Sequence, residues 1–93
     1  MHAITDNPAR CRFETTTEGQ ISFLTYRREP DTLLLLHTEV AEALGGRGIA
    51  SALTWHALET ARAKGLSVVP LCSFIATYIE RRPEYHTLIK RRD

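Results

Sequence analysis

The stretch Leu44-Gly45-Gly46-Arg47-Gly48-Ile49-Ala50 constrains the fold of this chain more than any other. Before it, apolar residues come as a run, Leu33 to Leu36. After it, they recur at intervals of four, at Ile49, Leu53, Ala57 and Ala61. The first pattern belongs to a strand inside a sheet and the second to one face of a helix. A glycine-rich turn between strand and helix aims several backbone N–H groups in one direction. The positive end of the helix dipole points the same way, so the turn suits phosphate or another anion. A plain connection, with Gly48 packing the helix close to the sheet, would use the same residues, and a lone Gly-x-Gly does not separate the two. No Gly-Lys-Ser/Thr follows, which excludes a P-loop. A Rossmann fingerprint fits poorly, because it opens on a parallel sheet.

Upstream of the turn the chain reads as an antiparallel meander. Residues 1–9 are expected to be a loose lead-in, with a turn at Asn7-Pro8. Cys11, Phe13 and Thr15 alternate with Arg12, Glu14 and Thr16 in a half-buried strand. Thr17-Glu18-Gly19-Gln20 forms a hairpin turn, with Gly19 available for a positive φ. A second strand runs from Ile21 to Arg28, and Glu29-Pro30-Asp31 turns the chain again. The third strand, Thr32 to Val40, holds four consecutive leucines and is expected to be buried on both faces.

Downstream, a helix is predicted from Gly48 to Lys64, stopped by Gly65. Leu66 to Leu71 is a short apolar strand interrupted at Pro70. Strand, helix and strand imply a parallel pair with a right-handed crossover. Ser73 is the expected N-cap of a helix over 74–82, and Pro83 ends or restarts it. The fold class is α+β: a meander, a β-α-β crossover and a C-terminal helix, in a single domain spanning residues 1–93.

A formal net charge of +1 gives no long-range attraction to nucleic acid, and Lys90-Arg91-Arg92 reads as a solvated tail. No apolar stretch is long enough to span a bilayer, and the N-terminus lacks the basic flank and apolar core of a signal peptide. No membrane association and a cytoplasmic location are therefore expected. Cys11 and Cys72 fit no zinc or redox spacing and are expected to be free thiols, with no metal bound.

A meander followed by a glycine turn, a helix and a splayed strand resembles the acyl-CoA-binding core of the GNAT N-acetyltransferase superfamily. His37-Thr38-Glu39-Val40 through Ala50, Val69-Pro70-Leu71-Cys72-Ser73-Phe74 and Arg82-Pro83-Glu84-Tyr85-His86 are similar to its small single-domain branch. The likeness covers roughly residues 10–89. It departs from the superfamily at Gly45, where an Arg or Gln heads the turn elsewhere, and Arg47 is the basic residue left to compensate.

The resemblance implies a minimal GNAT-like acyl-CoA N-acyltransferase fold and an acetyl-CoA-dependent N-acetyltransferase acting on an amine of unidentified class. Acetyl-CoA would be the acyl donor, its pyrophosphate on Leu44, Gly45, Gly46, Arg47, Gly48, Ile49 and Ala50. The pantetheine arm would lie between Thr38, Glu39 and Val40 and the strand Val68 to Leu71. Cys72 would attack the thioester or protonate the departing CoA thiolate; the bland alternative is a small buried hydrophobe. His37 would be a base or would orient the amine, although a lone strand histidine is more often structural. Cys11, His56, Trp55 and Tyr85 read as packing or surface residues. Arg27-Arg28 and Arg81-Arg82 read as solvated, within reach of the CoA 3′-phosphate. The larger enzymes' helices between the first two strands are missing. A non-catalytic acyl-CoA-binding or sensing module, or an acceptor groove completed by a second copy in a homodimer, is therefore the alternative. A third reading makes the turn purely structural.

Overall fold

The computed structural model describes residues 2–90. Five strands form one sheet in the order β1-β2-β3-β4-β5: β1 Thr5–Asn7, β2 Arg12–Thr17, β3 Gln20–Arg28, β4 Thr32–Glu39 and β5 Ser67–Pro70. The first four pair antiparallel and β4 pairs parallel with β5. Helix α1 (Ile49–Lys64) connects β4 to β5, and α2 (Ser73–Glu80) follows. This is the α+β meander and crossover that the hydrophobic periods predict.

The lead-in differs from expectation. Thr5, Asp6 and Asn7 pair with Glu14, Phe13 and Arg12, adding an edge strand to the meander. Three residues carry too little periodicity to announce a strand. The Tyr26 hydroxyl fixes this edge by donating to Asp6 at 2.6 Å. Cys11 is not a strand residue either. It sits in a left-handed turn (φ 50°) after the 3-10 segment Pro8–Arg10, and it is exposed.

One layer of helix covers one face of the sheet. Leu53, Ala57, Leu58 and Ala61 of α1 pack against Phe13, Leu24, Leu35 and Val68, with Ile75, Ile79 and Tyr85 from the C-terminal segment. Tyr85 closes that segment by donating its hydroxyl to Glu59 of α1 at 2.6 Å. The outer edge of β5 is covered by the bridge from Val68 to Ile89 and by the Lys90 N–H, which donates to the Val68 carbonyl at 3.0 Å. Lys90 Nζ also reaches Thr32 at 3.0 Å, so this end of the expected solvated tail is docked; Arg91 and Arg92 lie outside the described residues. Among the described residues no helix is long and apolar enough to cross a membrane.

The leucine run hides an irregularity. Thr25 faces His37 while Tyr26 faces Leu35, so Leu36 is an extra residue, a β-bulge in β4. Leu33, Leu34 and Leu35 are buried as expected, but Leu36 is exposed. The bulge resets the pleat. Leu35 and Thr38 share the core face with their partners Tyr26 and Leu24, whereas Leu36 and His37 both lie on the open face.

One buried polar group has no counterpart. Ser22 lies on the core face opposite Thr15, and among the described residues its hydroxyl has no hydrogen-bond partner. A desolvated hydroxyl costs stability that an unmade bond does not return. Ser22→Ala is expected to stabilise the protein by up to about 1 kcal/mol, read as a higher urea midpoint at unchanged slope.

Candidate functional site

The glycine turn folds as its composition requires. A 3-10 segment, Glu42–Leu44, carries the chain away from β4, and Gly45 caps it through an N–H bond to the Glu42 carbonyl (3.1 Å). Gly46 (φ 81°) and Gly48 (φ 74°) then take left-handed conformations that residues with a Cβ adopt only at a cost. Gly48 is the N-cap of α1, and the Ala52 N–H is the first taken up by the helix, donating to Gly48 at 3.0 Å. The N–H groups of Ile49, Ala50 and Ser51 are those a helix leaves without an internal acceptor. They open on a cleft of about 260 Å³ lined by Val40, Leu44, the turn, Ile49, Ala50, Ser51 and Phe74.

Leu44, Gly45, Gly46, Gly48, Ile49, Ala50 and Val40 are thus brought to one cleft. Arg47 is not. Its guanidinium pairs with Glu18 in the β2–β3 hairpin, and its carbonyl is bonded to His2 Nε2 at 3.1 Å. The arginine expected to compensate for Gly45 is therefore not among the residues that line the cleft. The pairing is exposed on both sides and costs little to part. Ser51 and Phe74 are lining residues that the motif did not include.

The cleft lies beside the point where β4 and β5 separate. Their last paired residues are Leu35 and Pro70, and the Leu71 N–H still donates to the Leu35 carbonyl at 2.9 Å. Beyond it, β4 continues to Glu39 paired with β3, while the other chain turns into α2. The interruption expected at Pro70 falls just after it: Pro70 is itself a paired residue of β5. Across this gap the Cys72 thiol reaches the Thr38 hydroxyl at 4.0 Å.

Cys72, not Ser73, is the N-cap of α2. Its carbonyl accepts the Ala76 N–H at 3.0 Å, and the helix ends at Glu80. Placing the thiol at the N-cap decides its acidity. Burial pushes the Cys72 pKa up, but the Ile75 and Phe74 N–H groups and the Thr38 hydroxyl stabilise the thiolate, and the net shift is below the ordinary thiol value. The thiol is thus partly buried, of lowered pKa, and placed at the end of the open strand gap.

His37 and Glu39 do not join this group. Both lie on the open face of the sheet, where His37 is paired with Thr25 and Glu39 with Phe23. Their side chains are 61% and 63% exposed and approach each other at 3.7 Å. The bulge at Leu36 puts His37 on the face opposite Leu35, and an alternation rule applied without the bulge would place both on the core face. The remaining expectations divide. His56 packs its ring edge against Phe13 (5.4 Å), Trp55 is exposed, and Arg82 stacks on Tyr78 (3.6 Å) instead of standing free in solvent.

A second cleft, of about 200 Å³, lies between Asp6, Cys11, Tyr26, Arg28 and Lys64 near the C-terminal end of α1. None of its lining residues belongs to the turn or to the gap.

The comparisons with known proteins fit this geometry. The chain resembles the solution NMR structure of a GCN5-like candidate N-acetyltransferase from Staphylococcus aureus, with a TM-score of 0.74 and 23% identity over 98% of this chain and 90% of that one. That likeness supports the fold alone. The model of the GCN5-related N-acetyl-transferase family matches residues 12–88, from the start of β2 through the last 3-10 segment, and the chain belongs to that family.

Proposed function

We propose that this chain is an acetyl-CoA-dependent N-acetyltransferase that takes its donor on the core side of the sheet. The observation that carries the reading is continuity. The turn from Gly45 to Ala50, its cleft, and the β4/β5 gap ending at Cys72 adjoin one another. Residues 45–50 offer backbone N–H groups at a helix N-terminus to a pyrophosphate. Gly46 and Gly48 keep side chains off that approach. The backbone of Thr38, Glu39 and Val40 on one side, and of Leu71 on the other, offers an extended arm the pairing that β4 and β5 no longer give each other.

Bound acetyl-CoA supplies a thioester whose acyl carbon accepts a neutral amine. Amides near Val40, just past the end of β4, polarise the carbonyl. A carbon–nitrogen bond forms and the carbon–sulfur bond breaks. The nitrogen gives up its proton to the His37 imidazole or to solvent, and the Cys72 thiol protonates the departing sulfur, to be reprotonated afterwards. The amides at the α2 N-terminus and the Thr38 hydroxyl steady the thiolate that remains. The donor is an intracellular metabolite, so the activity belongs in the cytoplasm.

The test is a melt with acetyl-CoA. Ligand at a hundred times its Kd adds about 2.7 kcal/mol. In a chain of this length that is a rise in Tm of roughly 10–20 °C. A saturable rise is expected for acetyl-CoA and CoA. No shift at millimolar ligand would overturn the donor reading.

A further inference from the structure

We infer that the cleft at the C-terminal end of α1 is a second ligand site, which takes a small carboxylate on an apolar body. It lies outside the donor site and does not depend on it. The glycine turn is at the opposite end of α1, about 24 Å away at 1.5 Å of rise per residue.

Three elements build the cleft. Helix α1 stops at Gly65, so its last turns, with Thr60 and Lys64, stand as one wall over the end of the sheet. The turn from Pro8 to Cys11 is the other wall. That turn is tied down: the Cys11 N–H donates to the Pro8 carbonyl at 3.1 Å, and the Cys11 carbonyl accepts the Tyr26 N–H at 2.9 Å. The floor is the edge of the core, Phe13, Tyr26, Leu33 and Leu66, each no more than 8% exposed. A site whose walls are already bonded loses little conformational freedom when it is filled. Its volume of about 200 Å³ is below that of sites for drug-sized ligands. Packed to the density of a protein interior, it holds on the order of ten non-hydrogen atoms.

Charge sets the sign of the ligand. Arg28 and Lys64 both line the cleft, and among the described residues neither has a carboxylate within salt-bridge reach. Arg28 Nε donates to the Glu29 carbonyl at 3.0 Å, which steadies the side chain and leaves its terminal fork of N–H groups to a ligand. Asp6, the carboxylate of the cleft, already accepts the Tyr26 hydroxyl at 2.6 Å. Burial and this bond push the Tyr26 pKa up, so the proton stays in place. Carbonyls at a helix end oppose an anion, but those of Ala61 and Arg62 are taken up by the Leu66 and Gly65 N–H groups. What remains is a pair of cations above an apolar floor. A carboxylate meets the cations, and an apolar body attached to it covers the floor. Benzoate and octanoate both have this chemistry and about this size.

The test titrates the full chain, without acetyl-CoA, with benzoate and with octanoate, and follows the backbone amide resonances. Binding by either is expected to move Cys11, Arg28, Lys64 and Leu66 together and to saturate, with Gly46 and Gly48 left in place. A Kd on the order of 1 mM or below is expected for a ligand of this size. The tighter binder identifies the body as aromatic or aliphatic. Acetate has the charge without the body, and benzylamine has the body with the opposite charge. Both are expected to bind at least about tenfold more weakly. Arg28→Gln combined with Lys64→Gln should raise the Kd on the order of tenfold with little change in Tm, since both side chains are exposed. Arg27→Gln, on the other face of β3, should leave the Kd unchanged. Saturable shifts from neither probe, shifts at the glycine turn instead, equal binding of acetate or benzylamine, or an unchanged Kd in the double variant would each overturn the site. No step uses acetyl-CoA, so these outcomes hold whatever becomes of the donor reading.

Discussion

Cys72→Ala is expected to lower kcat by about 10²–10⁴, the range that a positioned proton donor supplies, while acetyl-CoA Kd changes by less than about twofold. The asymmetry follows from where the thiol sits. Cys72 is the N-cap of α2, across the gap from Thr38, and it is not among the residues that line the cleft of the glycine turn. Its removal takes away a proton and leaves the phosphate cradle whole. The same placement sets the pH behaviour. The α2 amides and Thr38 outweigh burial and hold the thiol pKa below its ordinary value. A lowered pKa means more thiolate at a given pH. Alkylation of Cys72 by iodoacetamide in a Cys11→Ser background should therefore persist at lower pH than for a free thiol, whose pKa is about 8.5. Acetyl-CoA should protect it. A Cys72→Ala protein with full kcat would remove the thiol from the mechanism. An acetyl-sized mass increase on Cys72 in single turnover would make it the acyl carrier rather than the acid.

The change of period at Leu44–Ala50 is where the sequence was most legible. An interval of four beyond Gly48 marks one apolar face of a helix, and Gly46 and Gly48 stand where φ is positive. Pairing with β4 ends just past Pro70, but not for want of its N–H: Ser67 and Leu71 supply donors to β4, so the nitrogen of Pro70 faces the outer edge. Three features were hidden for a common reason: each depends on a partner distant in the chain. The edge strand at Thr5–Asn7 exists because β2 offers it a ladder, and Tyr26, twenty residues on, holds Asp6. The bulge at Leu36 is invisible in a run of identical leucines, where no alternation marks the extra residue. Only the register against β3 reveals it. The pairing of Arg47 with Glu18 of a different turn leaves no local mark in the sequence. The candidate residues were therefore found largely by local pattern, and their division between two faces of the sheet was not.

Leu53→Ala is expected to cost about 2–5 kcal/mol, a large part of the whole stability of a domain this size. Leu53 is fully buried on α1, one turn past Ile49, within the cluster that holds the helix against the sheet. Cutting the side chain back forfeits its transfer energy and leaves a cavity between rigid elements that cannot close it. Trp55, two positions along and 52% exposed, is the control: Trp55→Ala should cost less than about 1 kcal/mol, although it removes the larger side chain. At roughly 4–8 °C per kcal/mol, the first variant loses at least 8 °C in Tm and the second less than that. The same helix begins at the glycine turn, so its seating and donor binding are linked. A ligand that binds only the folded chain returns about 2.7 kcal/mol at a hundred times its Kd, and saturating acetyl-CoA should recover much of what Leu53→Ala loses. Recovery would show that the turn keeps its shape when the helix behind it is loosened. A variant that melts far below the wild type and gains nothing from acetyl-CoA would show that α1 must be packed at Leu53 for the turn to bind. Equal melting of Leu53→Ala and Trp55→Ala would contradict the burial of this helix altogether.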